Sequence, residues 1–137
     1  MEPQRFVPSP DGRNRDFYQH LASGRLHLQQ CAGCARVLHP PRYSCPGCGS
    51  EELAFVASAG RGKLFSWTVT HRPVDPGWAA RLPYATVVVA MQEGVRLVGG
   101  WRGANEALAL DLPVIVEVEP VNDEFAFLWF RPANGGK

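Results

Sequence analysis

Outside residues 31–48 the chain has no cysteine, and nowhere does it carry an apolar run approaching the ~20 residues that span a bilayer. The first absence removes the spread of bridges typical of a small secreted disulfide scaffold, and the second removes a transmembrane helix. The opening residues, MEPQRFVPSPDGRNRDF, lack the apolar core of a signal peptide, so a soluble, cytoplasmic protein is expected and a membrane is not an expected partner. Charge of one sign is missing too. Lys and Arg total 14 against 13 Asp and Glu, a net +1, which leaves no global field to draw in a polyanion. The sequence also has no Gly-x-Gly-x-x-Gly, phosphate-binding loop, Gly-x-Ser-x-Gly elbow or His-Glu-x-x-His, and no internal repeat.

What is present suits one core. At 137 residues and 45% hydrophobic content the chain can build one domain, or one small domain with an appended module, and two large domains are excluded. Residues 1–13, rich in Pro, Arg and Gly, read as a flexible arm that orders only against something else. From Asn14, which can cap, to Ser23 the pattern is a short amphipathic helix with Phe17 and Leu21 on one face and Gly24 as terminator. After residue 52 the period becomes two. Leu53 to Ala57 and Lys63 to His71 read as one long strand bent near Gly60 and Gly62. Tyr84 to Gln92 and Val95 to Trp101 form a hairpin through Glu93-Gly94, and Pro113 to Glu119 and Phe125 to Phe130 another through Asn122-Asp123. Ala104 to Leu110 reads as a short helix. Five strands with that insertion suit an OB-type barrel, with a two-sheet sandwich as the competitor.

The cysteines carry the most specific signal. Cys31-Ala-Gly-Cys34, ten residues, then Cys45-Pro-Gly-Cys48 make two knuckles, with Gly33, Gly47 and Gly49 supplying unusual backbone angles. Facing each other, the knuckles form a four-sulfur tetrahedron around one structural ion, expected to be zinc, with iron as the alternative. A closed cage leaves no position for substrate or activated water. The ribbon is too small to bury a core of its own, so the ion is expected to fold it. His39, between the knuckles, reads as a surface residue or a support to the cage. His20, His27, His71, Asp75, Glu93, Glu117 and Glu119 remain unpaired at this level, and no catalytic residue is assigned. His71 shares an alternating face with Phe65, Trp67 and Val69. Phe65 and Trp67, with Arg36, Arg42, Arg61 and Lys63, are the material for an alternative function, a single-stranded nucleic-acid-binding module. The strand Phe125 to Phe130 is apolar on both faces, so one is core and the other is covered by the N-terminal helix, the ribbon or another protein; a partner-binding surface that includes this strand, with Trp129 its test position, is expected.

From Phe17-Tyr18 to Arg131-Pro132 the chain resembles a zinc-ribbon/OB-fold family whose members accompany thiolases and related acyl-CoA enzymes. The resemblance rests on the helix Phe17 to Gly24, Cys31 with Cys34, Pro40-Pro41-Arg42, Cys45 to Gly49, Gly60 to Gly62, Leu82-Pro83-Tyr84 and Phe130-Arg131-Pro132. It implies a mainly β protein with an N-terminal helical segment (14–29), a rubredoxin-like zinc ribbon (30–51), a five-stranded OB-fold barrel (52–132) and a tail (133–137). It further implies a non-catalytic accessory subunit that binds a thiolase-like, acyltransferase or acyl-CoA aldolase partner and supports its assembly, with acyl-CoA at the shared interface. The chain departs from the family at Leu110-Asp111-Leu112-Pro113-Val114, where Ile-Gly-Met-Pro-Val is usual, so a different turn is expected there.

Overall fold

The computed structural model describes residues 5–72 and 74–133. An N-terminal helix, α1 (Gly12–Ala22), precedes eight strands: β1 (His27–Cys31), β2 (Val37–Leu38), β3 (Leu53–Ala57), β4 (Arg61–Thr70), β5 (Tyr84–Met91), β6 (Arg96–Trp101), β7 (Pro113–Pro120) and β8 (Ala126–Pro132). No helix among them is long and apolar enough to cross a membrane.

Helix α1 buries Phe17 and Leu21, one turn apart, against the core. It starts two residues before the expected cap. Asp11 occupies the capping position without a side-chain bond, and Asn14 lies inside the first turn. At the other end Gly24 holds φ +105 and its N–H reaches Leu21 O at 2.9 Å, the left-handed stop that glycine favours.

The expectation that Leu53–Ala57 continues into the barrel is not met. That segment, β3, pairs with β1 in a three-stranded antiparallel sheet ordered β2-β1-β3. The reason lies in residues 58–60. Glu93 Oε2 accepts from Ser58 Oγ and from Ala59 N–H, both at 2.8 Å, Gly60 N–H donates to Ser58 Oγ, and Gly60 holds φ +71. This clamp turns the chain between the two sheets, where the glycines had indicated a bend within one strand.

The barrel closes in the order β4-β5-β6-β8-β7. That closure excludes the sandwich. β5 shows why the period was readable: Ala85, Val87, Val89 and Met91 are buried and the residues between them are not. Both expected hairpins form, and Ala104 to Leu110 contains a single 3-10 turn at Asn105–Ala107. The seam is the parallel pair β6 and β8, Gly100 opposite Trp129 and Trp101 opposite Phe130. Only glycine fits there, since a Cβ on Gly100 would lie 2.5 Å from the Trp129 ring. A bulge between Leu64 and Ser66 leaves Phe65 exposed under the Arg96 guanidinium, 3.9 Å from the ring, while Trp67 and Val69 pack on the core. The four residues expected on one face are thus divided, and His71 is exposed beyond the strand end. At the Leu110–Val114 departure, Asp111 holds φ +64, a region glycine favours, and its N–H bonds to Leu64 O at 2.9 Å.

Candidate metal centre and apolar face

Each knuckle is built the same way. Ala35 N–H donates to Cys31 O and Gly49 N–H to Cys45 O, both at 2.8 Å, closing two tight turns. Gly33 N–H then faces Cys31 Sγ at 3.3 Å and Gly47 N–H faces Cys45 Sγ at 3.4 Å. The fifth residue of each knuckle adopts positive φ, +65 at Ala35 and +79 at Gly49. These turns bring the four Sγ atoms of Cys31, Cys34, Cys45 and Cys48 within 4.8 Å of one another. Cys31 Sγ lies 3.5 Å from Cys48 Sγ, and Cys34 Sγ 3.6 Å from Cys45 Sγ.

Those separations discriminate between chemistries. A disulfide needs about 2.05 Å between sulfurs, whereas a tetrahedron with metal–sulfur bonds of about 2.3 Å places sulfurs about 3.8 Å apart. The donor set fits a thiophilic ion. Electrostatics agree, because the Cys48 N–H, followed by that of Gly47, helps hold the Cys45 thiol down at about 6. Cys48 sits at about 11: the Ser50 N–H lowers it, but the sulfur of Cys31, burial and the other two sulfurs outweigh that bond. Thiolates this close repel one another, and a bound cation would compensate their charge.

His39 faces the helix. Its ring packs on Phe17 of α1, centroids 5.1 Å apart, its Nδ1 is buried without a partner, and burial lowers its pKa from 6.5 to about 4. It joins ribbon to helix. His20 and His27 stack at 4.3 Å, and burial, then the His27 charge, lowers the His20 pKa. Asp75 bonds Gly77 N–H at 3.0 Å and caps the 3-10 helix Pro76–Arg81, and Glu93 is the clamp described above. None of these groups converges on another as an acid, base and nucleophile would.

The second face of β8 is covered by this chain. Trp129 is 6% exposed, its Nε1–H donates to Glu119 Oε1 at 2.9 Å, and Trp78 packs on Phe127 and Trp129. Arg5 bridges Glu119 at 2.7 Å with its guanidinium 4.4 Å from the Phe127 ring, and this bond first, with that of Trp129, holds the Glu119 pKa low. Arg102 adds a contact to Glu119 at 3.3 Å, and Glu117 pairs with Arg131 at 3.4 Å. Trp129 is thus a buried seam residue whose cover comes from this chain's own Trp78, Arg5 and Glu119. Trp78 and Arg5 were missed in the sequence, although Asp75-Pro76-Gly77 is a helix-start signal that could have placed Trp78. What stays open is an adjoining apolar groove of about 320 Å³ between Trp78, Tyr84, Val98, Gly99 and Phe127. Of the residues named for the nucleic-acid alternative, Trp67 packs on the core and Arg36 lies against Gly47 in the ribbon, while Phe65, under Arg96, and Arg61 and Lys63 are exposed along β4.

Residues 19–54 match the model of the ChsH2 rubredoxin-like zinc ribbon domain, and residues 55–119 that of the ChsH2 C-terminal OB-fold domain. A probable enoyl-CoA hydratase alpha subunit of Thermomonospora curvata is 35% identical over 97% of this chain and 42% of its own length. The 3-oxo-4,17-pregnadiene-20-carboxyl-CoA hydratase alpha subunit of Mycobacterium tuberculosis is 31% identical over 89% and 39%. This chain therefore spans about two-fifths of those relatives. Among solved structures, a chain of an Ltp2-ChsH2(DUF35) aldolase superposes with a TM-score of 0.84 at 33% identity, over 93% of this chain and 99% of that one.

Proposed function

The chain belongs to the ChsH2 family of zinc-ribbon and OB-fold proteins, and on that premise we propose that it is a non-catalytic accessory subunit of an acyl-CoA enzyme. Its partner is a thiolase-like, acyltransferase or acyl-CoA aldolase protein, whose assembly and CoA-thioester binding it supports. Cys31, Cys34, Cys45 and Cys48 hold one zinc ion in a structural role. The observation that carries the reading is the cysteine tetrahedron itself. It uses every thiol of the chain, and a sulfur engaged by zinc is a poor nucleophile, so thiolase-type attack by a cysteine would require a residue from elsewhere. The solved relative is described as an aldolase with two named components, and the curated relatives are named as subunits, which supports the same division of labour.

The metal fits as scaffold. With four protein ligands it has no open position, and the backbone N–H groups of Gly33 and Gly47 lower the charge density on the sulfurs of Cys31 and Cys45. The chain's own contribution is then shape: helix, ribbon and barrel locked by the His39–Phe17 contact and the Glu93 clamp. Co-expression with thiolase-like, acyltransferase and acyl-CoA aldolase proteins of the same organism tests the reading. Co-purification, with acyl-CoA turnover present in the complex and absent from this chain alone, is expected. Thioester turnover by the isolated chain, or failure of every such protein to form a complex, overturns it.

A further inference from the structure

The ribbon sheet ends on β3, and no strand among the described residues pairs with its outer edge. The register identifies the groups that edge presents. Ser58 N–H donates to Leu26 O at 3.0 Å and Ala32 N–H to Glu52 O at 2.8 Å, so the bonded pairs across β1 and β3 include Leu28 with Val56 and Gln30 with Ala54. In an antiparallel ladder the residues between bonded pairs direct their N–H and C=O the other way. Phe55 and Ala57 therefore turn both groups outward. Leu53 turns out its C=O, its N–H being 3.1 Å from Glu51 O.

Free edges are usually defended by a charge, a proline or a bulge. Leu53–Ala57 has none of the three, and Ala54, Val56 and Ala57 are exposed. Beside the strand, Asp16, Gln19, His20 and Ser23 enclose with Phe55 a dent of about 270 Å³. It lies on the Phe55 face, where an added strand would direct every second side chain. The charge of the dent itself is acidic, Asp16 being the one carboxylate among its lining residues, although Arg13 and Arg15 share its helix and Arg25 lies beyond the Ala57 end of the strand. Asp16 lines the dent, Glu51 and Glu52 precede the strand, and the Arg13 contact to Asp16 is a 3.6 Å surface pair of little strength. A second copy fits poorly, because the five residues of β3 contain no basic side chain and its own Asp16, Glu51 and Glu52 would join the first set.

We infer that the free edge of β3 docks an extended segment of another protein chain, which adds a strand to the ribbon sheet and sets a basic side chain in the dent beside Asp16. The inference concerns the edge and not the partner's chemistry, so it stands or falls separately from the acyl-CoA reading. Amide exchange followed by NMR on the full zinc-loaded chain tests it, with two synthetic nine-residue peptides, one alternating valine and lysine and one alternating valine and glutamate. In the free protein the Phe55 and Ala57 amides should exchange at least about tenfold faster than those of Ala54 and Val56. The lysine peptide should slow Phe55 and Ala57 by a similar factor, and the glutamate peptide should not. Ala57→Pro removes an outward N–H without touching the β1 ladder and should abolish that protection while Ala54 stays protected. Asp16→Asn, on an exposed helix face, should weaken the lysine peptide and serves if the proline variant does not fold. Equal protection by both peptides, no protection by either, or protection that grows with protein concentration alone, as self-pairing would give, overturns the inference.

Discussion

Acidification should loosen the joint between α1 and the ribbon through His39. The imidazole is packed on Phe17 with Nδ1 buried and unpartnered, and its pKa falls from 6.5 to about 4 on folding. The unfolded chain therefore binds more protons than the folded one between those two values. Stability contributed by the neutral ring is intact above pH 6.5, falls as pH is lowered, and is gone below pH 4. Working the linkage through, lowering pH from 7.5 to 5.5 costs about 1.3 kcal/mol, or roughly 3–6 °C in Tm for a chain of this size. Urea unfolding followed by tryptophan fluorescence at both pH values, with bound metal measured in parallel, reads this directly. His39→Gln is the control, since it removes the titration while leaving His20 and the thiolates as they were. The wild type should lose about 1.3 kcal/mol more than the variant over that interval. Equal losses in both proteins would refute the assignment of this pH dependence to His39.

Three further outcomes follow from the geometry. Gly100→Ala should destabilise the barrel by about 1–3 kcal/mol in chemical unfolding, because the new Cβ meets the Trp129 ring at 2.5 Å and the parallel seam cannot open to admit it. Ala35→Gly should stabilise the first knuckle by roughly 0.5 kcal/mol, the strain of φ +65 outweighing the added freedom of the unfolded chain, and calorimetry should show a small rise in Tm. Cys45→Ser, or a strong chelator applied to the wild type, should release the metal and erase amide protection in β1 to β3 while β5 stays protected; full protection of the ribbon without metal would show that the ion does not fold it.

The residues themselves carried much of this architecture. Cysteine spacing alone specified the cage, because two knuckles closed by glycine-compatible turns have one way to converge four sulfurs. Alternation in β5 and the Glu93-Gly94 and Asn122-Asp123 turns specified the hairpins, since period two and turn chemistry are local properties. Tertiary structure decided what depends on distant partners. Leu53–Ala57 has a strand's pattern in either sheet, and only the Glu93 carboxylate, 34 residues from Ala59 in sequence, assigns it to the ribbon. The pattern of Phe125 to Phe130 shows that its second face needs cover, and only the structure shows that Trp78, Arg5 and Glu119 arrive from three other segments to provide it at Trp129. His39 lies between the knuckles in sequence, yet packing against Phe17 makes it a joint and not a ligand. Local periodicity records which way a side chain points, but which surface it then meets is set by chain closure, and that information is spread over residues far apart in the sequence.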